Sequence, residues 1–275
     1  MDSHFQAVEQ RLQAAIGYAE AAGSVTLQHF QRDDLVVDRK SDESPVTVAD
    51  REAELLLRRK ISADFPEDSI VGEEFGSTAG TSGYVWVLDP IDGTKSFIHG
   101  VPLYTTLIGI LETANNTPEQ GIPRAGVIHA PALAETAWGQ TGGGAFFRRG
   151  TAVPVRCCVS QTSSLSQSLL VTSEVATFAT GRPADATETF LRLQSACRLV
   201  RTWGDGYGYM LVASGRADVA IDPRMNLWDA AALMPIVVEA GGHFVDWQGH
   251  PTVHSGDALA TNGQVTAELL SLLKT

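Results

Sequence analysis

The sequence predicts an α/β protein, mixed α+β in detail, built from stacked layers of helix and mixed sheet. Three observations carry this reading. Helically spaced segments and short β-like runs follow one another irregularly, a hairpin signal falls mid-chain, and no Pro-, Gly- or Ser-rich linker divides the 275 residues. The regular strand–helix alternation of a simple doubly wound sheet is missing. One catalytic unit is therefore expected, with two rigidly joined lobes at about 1–155 and 156–275.

Phe5, Val8, Leu12, Ala15, Ala19 and Ala22 recur at spacings of three and four, the signature of an amphipathic first helix running to about Phe30. A polar stretch, Lys40 to Pro45, leads to a second helix with Ala53, Leu56, Leu57 and Ile61 on one face and Pro66 as its stop. Strands are predicted at Ser69–Val71, Tyr84–Leu88, Thr105–Leu111 and Ala125–His129. Gly142, Gly143 and Gly144 then read as a hairpin turn. In the second half, strands at Leu169–Thr172, Arg198–Trp203 and Val219–Ile221 alternate with helices at Thr187–Ala196 and Tyr207–Ser214. A longer helix, Leu227–Ala240, ends at Gly241 and Gly242. Strands near His243–Asp246 and Ala258–Thr261 and a terminal helix close the chain. Trp86, Trp138 and Trp203 read as core residues.

Acidic residues outnumber basic ones by 32 to 20, giving a formal charge of -12, which argues against non-specific binding to nucleic acid or anionic membranes. No run of 18 apolar residues and no signal peptide is visible, so a cytoplasmic protein is expected. Cys157, Cys158 and Cys197 fit neither a disulfide framework nor a zinc spacing. There is no G-x-S-x-G, Walker or H-E-x-x-H element. The run from Gly204 to Tyr209 fails as a dinucleotide fingerprint because Tyr209 stands where the third glycine belongs.

The chemistry is concentrated in carboxylates. Asp89-Pro90-Ile91-Asp92-Gly93-Thr94 follows a predicted strand and gathers two carboxylates, backbone carbonyls and a hydroxyl, the oxygen donors that hard cations such as Mg²⁺ take. An ordinary Asp/Gly turn accounts for the same residues. Glu73, in Gly72-Glu73-Glu74, ends another β-like run. Asp50, in Val46-Thr47-Val48-Ala49-Asp50, and Asp229, in Trp228-Asp229-Ala230-Ala231, open helices, where Asp also serves as a cap.

Taken together these four elements resemble the inositol monophosphatase family of metal-dependent, lithium-sensitive phosphatases over most of the chain. The resemblance implies a five-layer αβαβα sandwich of the inositol monophosphatase/fructose-1,6-bisphosphatase type and a homodimer. It implies two or three Mg²⁺ ions held by Glu73, Asp89, the Ile91 carbonyl, Asp92 and Asp229. It also implies a water nucleophile activated with help from Glu73 and Thr94, Thr94 being oriented by Asp50. Lys40 matches a family lysine near the site. If Gly93 and Thr94 open a helix, their amides add donors for phosphate.

The same resemblance implies that substrate choice falls to Asp205 and Asp222, with Asn226 near both in sequence, although Asp205-Gly206 and Asp222-Pro223 are also common turns. Two acids beyond the metal ligands favour a small phosphate ester that also carries positive charge. The stretches Arg201 to Tyr209 and Met225 to Asp229 resemble the histidinol-phosphatase branch, whose members often carry Cys where this chain has Gly206. The expected reaction is hydrolysis of L-histidinol phosphate. Inositol-1-phosphatase is the alternative within the class, and a non-catalytic partner-binding module the alternative outside it.

Overall fold

The computed structural model describes residues 3–40, 44–114, 117–180 and 187–273. Residues 41–43 of the predicted polar stretch lie outside them. Helix α1 (Ser3–His29) opens the chain, and a two-stranded ribbon of β1 (Val37–Arg39) and β2 (Pro45–Thr47) delivers it into α2 (Val48–Asp64). Next come β3 (Ser69–Gly72), β4 (Gly76–Thr78), β5 (Tyr84–Asp92), the short helix α3 (Thr94–Ile98), β6 (Thr105–Glu112) and β7 (Ile122–Ala130). The hairpin strands β8 (Glu135–Gln140) and β9 (Gly144–Arg149) follow, then β10 (Val155–Arg156). These form an eight-stranded sheet ordered β10-β9-β8-β7-β6-β5-β3-β4.

The second half runs β11 (Leu169–Val171), α4 (Thr177–Thr180), α5 (Thr187–Ala196), β12 (Leu199–Arg201), α6 (Asp205–Ala213), β13 (Val219–Asp222), α7 (Leu227–Ala230) and α8 (Leu233–Glu239). It ends with β14 (His243–Val245), β15 (Ala258–Thr261) and α9 (Thr266–Leu273). Its sheet is ordered β12-β11-β13-β15-β14.

Side-chain alternation stacks these pieces. On β5, Trp86 and Leu88 face α1 and α2, while Val85 and Val87 face the other way toward Ala231. Both faces of the sheet are covered, so its strands read as near-continuous apolar runs. Leu233, Ile236 and Val237 of α8, with α6, fill the space between the two sheets. Phe178, Phe190, Leu193 and Leu269 cover the outer face of the second sheet. The result is the expected αβαβα order: α1/α2, large sheet, α6–α8, small sheet, α4/α5/α9.

The structure departs from the sequence reading in three places. The predicted helix Leu227–Ala240 is two helices, because Pro235 has no N–H to donate to Ala231 and its ring crowds that carbonyl. Trp203 is 40% exposed, whereas Trp86 and Trp138 are buried. Strand β5 does not end at Leu88 but continues to Asp92, so the Asp89–Asp92 segment is a bulged strand end rather than a turn. The short strands β1, β2, β4 and β10 carry too few residues for an alternation to show.

Candidate metal centre and substrate cleft

The bulge explains why two aspartates three residues apart can act together. In a regular strand, positions i and i+3 face opposite ways. Here Asp89 pairs with Leu107 and Asp92 with Thr105, so β5 uses three steps where β6 uses two. Pro90, which cannot donate to the ladder, sits in the extra length. Both carboxylates thereby arrive on one side. Gly72 pairs with Leu88 in the parallel β3–β5 ladder, which places Glu73 next to Asp89. Asp229 comes from the opposite direction, on α7.

One oxygen from each of Asp89, Asp92 and Asp229 lies within 4.8 Å of the others. Each carboxylate in this region has a second oxygen tied by a local donor. The Ile91 amide donates to Asp89 Oδ1 at 3.1 Å, and Thr105 Oγ1 donates to Asp92 Oδ2 at 2.9 Å, joined there by the Gly206 amide. The Asn226 amide and Nδ2 donate to Asp229 Oδ2 at 2.7 and 3.2 Å. Asp50 follows the same rule: the amide and hydroxyl of Thr47 hold its Oδ2 at 2.8 and 2.7 Å in a capping box at the start of α2. Its Oδ1 is left 3.5 Å from Thr94 Oγ1, which also donates to the Ile91 carbonyl at 3.1 Å. The capping alternative is true of both Asp50 and Asp229, and the same bonds leave Asp50 beside Thr94 and Asp229 beside Asp89 and Asp92.

Crowding like charges away from water raises their pKa values. Burial, then the charges of Glu73, Asp92 and Asp229, push Asp89 well above the carboxylate range. Burial and the charges of Asp205 and Asp229 do the same to Asp92 against the Gly206 and Thr105 donors. Asp229 is raised to about 7, mainly by burial. Asp50 is raised too, chiefly by burial, although Thr47 opposes the shift. Three convergent, oxygen-only donors that resist ionising together fit a hard divalent cation, whose charge would reverse that penalty. Glu73 already accepts a cation: Lys40 Nζ donates to its Oε1 at 2.7 Å and to Glu74 Oε1 at 2.6 Å. Burial lowers the Lys40 pKa, but those two bonds outweigh it and leave it raised. Lys40 thus reaches the site through Glu73.

Gly93 (φ +85°) caps α3 in the left-handed region and Thr94 opens the helix. A Cβ on Gly206 would lie 2.7 Å from both Asp92 Oδ2 and Thr105 Oγ1.

The sequence profile of the inositol monophosphatase family matches residues 7–275. The chain belongs to that family. It is 44% identical over 250 residues to a histidinol-phosphatase of Chlorobaculum parvum, covering 91% of each chain. With a histidinol-phosphatase of Mycobacterium tuberculosis it shares 40% over 262 residues, covering 95% of this chain and 97% of the other. An inositol monophosphatase structure from Anabaena superposes with a TM-score of 0.82 at 30% identity, covering 97% and 96%. The five-layer fold and the branch resemblance agree with these relatives.

The family cleft, about 300 Å³ here, is lined by Glu73, Asp89, Ile91, Asp92, Gly93, Thr94, Asp205, Asp222 and Asp229 among the predicted residues. Asp50 stands behind Thr94. Asn226 is exposed and outside the lining, with its side chain on Asp229. Asp222 is buried, and its oxygens accept from Thr172 Oγ1 at 3.2 Å, the Ser173 amide at 2.8 Å and Tyr209 Oη at 3.1 Å. Asp205 adopts φ +54°, its amide donating to Ser173 Oγ at 2.7 Å. Burial and Asp222 raise its pKa to about 6. Sequence reasoning missed Ser173, Glu174 and Lys95, which also line the cleft, because single polar residues in loops carry no spacing signal. It also missed Glu54, fully buried on α2, which accepts from the amides of Glu74 at 2.8 Å and Phe75 at 3.2 Å and so holds the Glu73 loop. The signal for Glu54 is an acid on the apolar face that carries Leu57 and Ile61.

Proposed function

We propose that the chain is a Mg²⁺-dependent phosphomonoesterase that hydrolyses L-histidinol phosphate to L-histidinol and phosphate. The observation that carries this is one cleft with two acidic sides: metal-type carboxylates on the first, and Asp205, Asp222 and Glu174 on the second. The relatives named histidinol-phosphatases support the choice of ester. Glu73, Asp89, the Ile91 carbonyl, Asp92 and Asp229 would hold two or three Mg²⁺ ions. Bound there, Mg²⁺ screens the ester oxygens from these carboxylates, makes water a better nucleophile and steadies the departing alkoxide.

The chain's own groups do the rest. The Gly93 and Thr94 amides at the head of α3 donate to the phosphate. Thr94 Oγ1, set between Asp50 and Ile91, orients the water and passes its proton toward Asp50 Oδ1, whose other oxygen Thr47 holds. Glu73 assists as base. Asp205 borders the leaving group. We also infer a homodimer, which sedimentation velocity tests by its mass.

The deciding experiment is phosphate release in Mg²⁺ from histidinol phosphate, inositol 1-phosphate and fructose 1,6-bisphosphate. Histidinol phosphate is expected to give the highest kcat/KM. A clear preference for inositol phosphate makes the protein an inositol-1-phosphatase instead, and no release from any ester leaves a binding module.

A further inference from the structure

Two residues of the cleft, Lys95 and Glu174, have no role in the bond-breaking steps above, although Glu174 belongs to the second acidic side. Lys95 stands on the first turn of α3, beside Gly93 and Thr94, and Glu174 lies in the loop from β11 to α4. Lys95 Nζ donates to Glu174 Oε2 although the two are 79 residues apart. The bond joins the large-sheet half of the molecule to the small-sheet half. Both side chains are open to water, 65% and 43% exposed. A pair so exposed is weak, because hydration and salt compete with it.

Glu174 differs from the other acids on its side. The Asp222 oxygens already serve three donors. Asp205 is turned over Gly93, where an added Cβ would lie 2.7 Å from its Oδ2. Lys95 is the one side-chain partner of Glu174 among the described residues. A ligand bearing both a phosphate and an ammonium or imidazolium can replace this pair charge for charge. A neutral polyol phosphate can serve Lys95 only, and leaves Glu174 without its cation.

We propose that Lys95 and Glu174 are an exchange pair that sets specificity: on binding, the phosphate takes over Lys95 and the cationic end of the ester takes over Glu174. This rests on the phosphomonoesterase reading above. Glu174 meets only the cationic end of the ester, away from the reacting phosphoryl group, so its loss should appear in KM.

The test compares the Mg²⁺-loaded wild type with Glu174→Gln and Lys95→Met on histidinol phosphate and glycerol phosphate. In Glu174→Gln, KM for histidinol phosphate should rise about tenfold with kcat retained, and the kcat/KM ratio between the two esters should fall by the same factor. Lys95→Met should weaken both esters together, since both carry the phosphate. Inhibition by L-histidinol alone should be about tenfold weaker in Glu174→Gln than in wild type. Equal loss on both esters in Glu174→Gln, unchanged inhibition by histidinol, or a ratio shift in Lys95→Met as large as that in Glu174→Gln overturns the exchange. A wild type inactive on histidinol phosphate removes the substrate reading, and the exchange falls with it.

Discussion

On one side of the cleft, Asp89 and Asp92 are buried and Asp229 half-buried, each with one oxygen fixed by a neighbour within the same bulge, helix cap or strand pair. On the other side, Lys95 and Glu174 stand in water, come from different halves of the chain and, among the described residues, have each other as their side-chain hydrogen-bond partners. The first arrangement is rigid and electrostatically unfavourable until a cation joins it. The second is nearly neutral and opens easily. For the proposed phosphomonoesterase that contrast is useful: stiffness where charge develops, softness where the ligand enters and leaves.

The contrast predicts that metal removal has the largest effect. Phosphate release should fall to background in excess chelator and return with Mg²⁺. The thermal midpoint of the stripped protein should rise as Mg²⁺ is added, because only the folded state gathers the three carboxylates. A midpoint indifferent to Mg²⁺ would contradict a preformed cation site.

Asp92→Asn comes next. With Mg²⁺, kcat should drop on the order of a thousandfold, since a charged ligand is lost while its shape remains. Without Mg²⁺ the same variant should be more stable than wild type, because the fold no longer buries that charge against Asp205 and Asp229. Chemical denaturation in chelator reads this directly. If both activity and metal-free stability fall, the electrostatic account of the rigid side is wrong.

The same division governs what could be read in the sequence. The rigid side is made of local grammar: two carboxylates flanking a Pro bulge, and two helix-opening aspartates whose capping bonds span three residues. Such patterns survive in one dimension. The soft side is assembled by tertiary contact. Nothing in the run Thr172-Ser173-Glu174 indicates that it faces Lys95, and Asp222 looks free in sequence because its partners Thr172 and Tyr209 lie 50 and 13 residues away. The main helices and strands were legible as periodicity and their layer order only through the family resemblance, whereas the break before Pro235 needed the hydrogen-bond accounting of a helix interior to be applied at a known register.

The buried scaffold of the rigid side should also be acid-sensitive. His129 on β7 is buried against α1, where a Cβ on Gly23 would meet its ring at 2.7 Å, and its pKa is pushed down to about 4 by burial. As pH falls from about 6.5, the unfolded chain takes up this proton while the folded one refuses it until about pH 4. Stability is therefore present above the unfolded value and lost as pH falls through that window, by up to about 3 kcal/mol for this group. Denaturation midpoints of wild type and His129→Gln between pH 4 and 7 should converge toward the acid end. Parallel curves would place the acid sensitivity elsewhere.

The smallest expected effect separates the two sides most finely, at Asn226. In sequence it stands with the substrate residues, yet in space its side chain donates to the oxygen of Asp229 that its own amide also holds. Asn226→Ala keeps the amide bond and removes the Nδ2 bond, so Asp229 stays in place but is less firmly oriented. The Mg²⁺ concentration for half-maximal activity should rise by up to roughly tenfold, the size of effect seen when a partner of a metal ligand is lost. The kcat/KM ratio between histidinol phosphate and glycerol phosphate should stay as in wild type, because no ester contact has changed. A shift in that ratio at saturating Mg²⁺ would move Asn226 to the soft side, where its exposure alone does not put it.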